Sequence, residues 1–187
     1  MKTLWLGLML TFSLDAAALE VGGVQVDEQA QVNGASLGLN GAGVRSVMFM
    51  DMYAVALYLP SATHDAATVL NSDSPRRVAL HVLMSGPISR FLNGFRKGIE
   101  RNSNAQESAA LQARLAEFEH LFDGIDEVGK GSIIAFDSVP GTGLHVSLDG
   151  KPLGDVAGND FYTALLRVWL GERPVQDRLK QQLLGAR

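Results

Sequence analysis

The chain has 187 residues, 47% hydrophobic and 19% charged, with a formal net charge of −4 at pH 7 and no cysteine. That apolar content supports one sizeable core and excludes a disordered tail protein. The acidic balance argues against general nucleic-acid binding, which needs a cationic surface to displace counterions, and the missing cysteines exclude disulfides, thiolate nucleophiles, Cys-ligated zinc and iron–sulfur clusters.

The N-terminus has the layout of an export leader. Lys2 supplies the basic end, Leu4 to Leu14 form an apolar run too short to span a bilayer, and Ala16-Ala17-Ala18 offers a small-residue cleavage site. The expectation is a signal peptide over residues 1–18, cleavage after Ala18, and a mature domain over 19–187 in a periplasmic or secreted location. The alternative is an uncleaved N-terminal core element. No later stretch reaches about 18 consecutive apolar residues, so no transmembrane segment is expected in the mature chain.

Residues 19–60 read as strands. Leu19 to Val21 and Val24 to Val26 alternate around Gly22-Gly23, and glycines 34, 38, 41 and 43 mark a turn-rich β region. Val44 to Leu59 is rich in β-branched, aromatic and Met residues and ends at Pro60. A short helix is expected over Thr63 to Leu70, and a strand buried on both faces over Arg77 to Met84.

From Pro87 the period changes. Ile88, Phe91, Leu92, Phe95 and Ile99 fall at helical spacing. Asn104 and Glu107 form a capping-box start for a second helix with Leu111, Leu115, Phe118 and Phe122 on its apolar face, stopped near Gly124. Short strands follow at Ser132 to Phe136 and Leu144 to Leu148, and Asp149-Gly150 turns the latter into Lys151 to Val156. Asn159 is expected to cap an apolar helix from Phe161 to Leu170, closed by Gly171, and Pro174 to Leu184 reads as a last amphipathic helix. Strands, helices, strands and helices without βαβ alternation indicate an α+β fold in one domain.

Most catalytic signatures are missing. There is no G-x-S-x-G, no H-E-x-x-H, and the four histidines stand apart. Gly41-Ala42-Gly43 lacks the third glycine and the following helix of a dinucleotide loop. Asp123, Asp126 and Glu127 lack calcium-loop spacing and read as a solvated turn. No cofactor and no metal is expected. Arg90, Arg96, Lys97 and Arg101 give the first long helix a basic side, ordinarily a solvated face.

The informative segment runs from Gly41 to Pro60. Arg45 lies in an otherwise apolar strand region, where a guanidinium must reach solvent or find a partner. Its fork suits a carboxylate, and Tyr53 could add a hydroxyl donor. In one unbroken strand the two would lie roughly 26 Å apart at about 3.3 Å per residue. In a hairpin centred on Phe49 they would be directly opposite, with Cα atoms roughly 5 Å apart. The competing reading is an internal ion pair of Arg45 with an acid, leaving Tyr53 as ordinary core.

Three stretches resemble the chalcone isomerase family, in its bacterial exported branch: Gly43-Val44-Arg45 with Tyr53 to Leu59, the Arg76–Ser85 strand leading into the Pro87 helix, and Gly158 to Pro174 followed by Leu179-Lys180. The likeness covers nearly all of the mature chain. It implies an open-faced β-sandwich, a large antiparallel sheet with helices over one face and a ligand cleft between them. It implies either ring closure of chalcones or acyl-chain binding without chemistry, as in the family's plant fatty-acid binders, which use an Arg and a Tyr on the carboxylate. The family Arg falls on Arg45, the binders' Tyr on Tyr53, and the enzymes' late-helix Thr on Val168. The enzymes' active-site Tyr has no counterpart between Arg76 and Pro87, where Leu83 and Met84 are nearest. Valine cannot donate a hydrogen bond and Leu or Met cannot orient a water. The expected function is therefore non-catalytic binding of a small apolar carboxylate such as a fatty acid by Arg45, Tyr53 and Val168. The alternatives are a lyase or isomerase using Arg45 on a chalcone-like or other anionic substrate, and a structural or partner-binding module.

Overall fold

The computed structural model describes residues 18–185. Apart from Ala18, the expected leader lies outside the described residues. In chain order the elements are β1 (Ala18–Val21), β2 (Val24–Asp27), β3 (Gln29–Val32), β4 (Ala35–Val47), β5 (Met50–Leu59), α1 (Ala66–Leu70), β6 (Arg76–Val82) and β7 (Gly86–Pro87). Then come α2 (Ile88–Arg101), α3 (Ala105–His120), β8 (Glu127–Val128), β9 (Ile133–Val139), β10 (Gly143–Leu148), β11 (Lys151–Ala157), α4 (Asn159–Leu170) and α5 (Asp177–Leu183).

Seven strands form one antiparallel sheet in the order β11-β10-β9-β6-β5-β4-β3. Side chains alternate across it, as the strand period demands. On β5, Val55, Leu57 and Leu59 join the main core under the helices, while Ala56 and Tyr58 turn to a smaller core with Val26, Val32 and Leu37. The fold is thus α+β, a large antiparallel sheet with α2, α3 and α4 packed over one face. Phe95 sits at the centre of that interface, edge-on to Phe118, Phe136 and Trp169. No helix among the described residues is long and apolar enough to cross a membrane.

Local chemistry explains the element ends. The Asn104–Glu107 capping box is complete at the start of α3, and Gly124 takes φ +82° just beyond its end. Asn159 is not the cap of α4. Gly158 occupies that position with φ +96°, and the Asn159 side chain instead donates to Asp73 and accepts from Arg76. The competing partner is a guanidinium buried completely: Arg76 also donates to the Val69 carbonyl and the Ser138 hydroxyl and lies over the Tyr162 ring. A buried charge of that kind takes every nearby acceptor. The Gly41-Ala42-Gly43 segment belongs to β4, and its glycines admit α5: a Cβ at Gly41 would stand 2.2 Å from the Gln182 carbonyl oxygen. The last helix is shorter than expected, starting at Asp177.

Candidate functional site: an apolar pocket beside Arg45

The β4–β5 hairpin positions the site. Its two-residue turn is Met48-Phe49, with φ of 47° and 69°. This left-handed pair matches the twist of the flanking strands and closes the hairpin without the Asn-Gly it ordinarily uses. Arg45 is then directly opposite Tyr53 in the ladder. Opposite residues of an antiparallel pair share a face. Tyr53 packs against the main core, so Arg45 also faces the helices.

Between this hairpin and the helices lies a cavity of about 340 Å³. Arg45 and Val47 of β4 line it, with Met50, Met52 and Tyr53 of β5. From the helical side come Arg90, Phe91, Gly94 and Phe95 of α2, Val168 of α4, and Val175 beyond it. The structure therefore brings Arg45, Tyr53 and Val168 to one pocket. The volume lies at the small end of ordinary ligand pockets, and the mostly apolar wall with a few convergent polar groups matches their usual make-up.

Arg45 is half-buried. Its Nη1 donates to the Ser46 carbonyl at 2.8 Å and the Gln176 Oε1 at 3.2 Å. Both acceptors are neutral, and among the described residues Arg45 forms no ion pair. Gln176 also accepts from the Ser46 backbone N–H, so it fixes the strand end and the guanidinium together.

Tyr53 stacks at a tilt on Phe91, with ring centres 6.0 Å apart. Burial pushes its phenol up, opposed by the Trp169 indole N–H beside it and the Arg45 charge. It therefore stays a protonated donor at neutral pH. Trp169 is buried, and its indole nitrogen has no hydrogen-bond partner among the described residues. Val168 is also buried and contributes only methyl groups; its neighbour across the helix interface is Gly98, where an added Cβ would lie 2.8 Å from a Val168 methyl.

Sequence reasoning missed Arg90, Gly94 and Val175 of the pocket wall and Gln176, which holds Arg45. Arg90 lay within the basic side read as solvated, yet it borders the cavity. Gly94 is one turn beyond Arg90 on the exposed side of α2, and a residue with no side chain left no sequence signal to find it. The others, Val175 and Gln176, follow Pro174 in a segment expected to be helical; only the tertiary fold brings them to Arg45.

Comparison with known proteins gives a consistent frame. The chalcone isomerase-like family model matches residues 18–185. The solved structures that match include the crystal structure of an Arabidopsis thaliana fatty-acid binding protein, with a TM-score of 0.72 and 17% identity, covering 87% of this chain and 92% of that one. Among curated proteins no match is found. With a family match spanning the seven-stranded sheet, the four main helices and the pocket between them, this chain belongs to the chalcone isomerase-like family.

Proposed function

We propose that the protein binds a small amphiphile with an apolar body and a carboxylate head, a fatty acid in chemical class, without transforming it. Arg45 supplies the charge, Tyr53 a hydroxyl donor, and Val168 with the Phe91 and Phe95 rings the apolar wall. The observation that carries this reading is a guanidinium at an apolar cavity with only neutral protein acceptors. A carboxylate would complete its hydrogen bonding through two parallel contacts. The fatty-acid binding protein of similar fold supports the same ligand class. No carboxylate or imidazole lines the pocket among the described residues.

The leader-like start, from Lys2 to Ala18, supports a periplasmic or secreted location for this binding. The test of the binding reading is native mass spectrometry of the purified protein, with organic extraction and identification of anything released. A bound long-chain acid, or a rise in melting temperature on adding one, is the expected result. An empty protein that no fatty acid stabilises, or turnover of a chalcone that disappears in Arg45→Ala, would overturn it.

A further inference from the structure

The hairpin that carries Arg45 ends in the most exposed large apolar side chains among the described residues. Met48 and Phe49 are 83% and 105% exposed, and Val47 and Met50 beside them 38% and 46%. Four consecutive large apolar residues at a strand turn are not explained by core packing. Nor does the backbone favour them. Both turn residues hold positive φ, a conformation that suits Asn and Gly and strains Met and Phe. Two of the largest available apolar side chains thus occupy positions where small polar residues would make a better turn.

Two further observations identify what this tip meets. Val47 and Met50 also line the cavity, so the apolar surface runs from the tip into the pocket without a polar break. The first turn of the neighbouring helix α2 brings a cation, Arg90, to the cavity. Arg90, Gly94, Lys97 and Arg101 recur at helical spacing on one stripe of α2, and Arg90 and Gly94 border the same cavity. Among the described residues Arg90, Lys97 and Arg101 form no ion pair, whereas Arg96, on another side of the helix, is taken by Glu119. The only acid in the hairpin turn region, Asp51, accepts from the Ser46 hydroxyl at 2.6 Å.

An exposed apolar wedge beside Arg90, a basic side chain at the cavity with no ion pair among the described residues, is the chemistry of an anionic lipid surface: the apolar groups enter the acyl boundary and the cation meets head groups. From this we infer that the Val47–Met50 tip docks the protein on an anionic phospholipid surface, with the pocket mouth turned toward the bilayer. An apolar ligand would then pass between bilayer and pocket without crossing water. The docking stands apart from the identity of the ligand, because it rests on the tip and on Arg90 beside it.

The experiment is co-sedimentation of the full chain with large vesicles of mixed phosphatidylglycerol and phosphatidylcholine, against vesicles of phosphatidylcholine alone. The variant Met48→Asn/Phe49→Gly installs the turn residues that the backbone prefers, so it is expected to fold at least as stably, checked by its melting temperature. Neither residue lines the cavity, so binding of a soluble fluorescent fatty acid is the control for an intact pocket. The wild type is expected to pellet with the anionic vesicles, and the variant to bind them at least roughly tenfold more weakly, from the apolar area no longer buried. Arg90→Gln is expected to lose roughly fivefold, as one charge near the lipid surface is removed. A wild type that stays in solution, equal binding by wild type and turn variant, or binding indifferent to both lipid charge and the Arg90 substitution would overturn the inference. So would a dimer in analytical ultracentrifugation that dissolves in the turn variant while vesicles remain unbound, since the tip's partner would then be a second copy. Failure of fatty-acid binding with vesicle docking intact would refute the ligand reading alone.

Discussion

Replacing Arg45 with Met tests the carboxylate clamp most directly. The substitution keeps an unbranched apolar stem and removes the charge. In the fold, Arg45 loses contacts only to the Ser46 carbonyl and the Gln176 side chain, both neutral and partly reached by solvent. Gln176 retains the Ser46 backbone N–H. Net hydrogen bonds of this kind contribute about 0.5–1.5 kcal/mol, and water can replace them here, so stability should change by less than about 1 kcal/mol. A charged hydrogen-bonded pair with a ligand contributes more, about 1.5–3 kcal/mol, or roughly ten- to hundredfold in Kd. Partial exposure of the guanidinium sets the expectation at the lower end of that range. The assay is displacement of a fluorescent probe by a long-chain acid and by its methyl ester. Wild-type protein should prefer the acid, and Arg45→Met should erase the preference while leaving ester affinity nearly unchanged. Equal acid-to-ester ratios in the two proteins would refute the reasoning, because the charge would then play no part in recognition.

Gly94 and Gly98, one turn apart on α2, should respond in opposite directions. A Cβ at Gly94 meets nothing within 4 Å, so Gly94→Ala should stabilise the helix by about 0.5–1 kcal/mol, while Gly94→Leu should fill the cavity and weaken ligand binding without unfolding the protein. Gly98→Ala should cost about 1–3 kcal/mol, since its Cβ would overlap the Val168 methyls; urea denaturation distinguishes the two signs. Asp137→Asn should break the fork with Arg77, whose two contacts measure 2.6 and 2.7 Å, and lower the unfolding free energy measured in urea by about 1–3 kcal/mol, less than for a fully buried pair because Arg77 reaches solvent. Burial holds the His81 imidazole below its ordinary value of 6.5, with the Asp27 charge opposing. The unfolded chain therefore takes up the proton first, and the His81 contribution, full above pH 6.5, is lost as pH falls toward the folded value. His81→Gln should flatten that part of the melting temperature profile; an unchanged slope would show that other groups set it.

The amino-acid sequence by itself settled the order of strands and helices, because their two periods are local properties. The β-branched, aromatic and Met content up to Pro60 marked β5, and the Phe91–Phe95–Ile99 spacing marked α2. It also determined that Arg45 needed either solvent or a partner, since that follows from the free energy of burying a guanidinium. Tertiary structure decided between partners. Only folding shows that Arg45 meets Ser46 and Gln176 rather than an acid, since Gln176 is distant in sequence and its position depends on how α5 docks on the glycines of β4. The displaced cap at Asn159 has the same origin. A local capping preference worth about 1 kcal/mol gave way to a buried guanidinium from another strand, whose unmet hydrogen bonds would have been more costly.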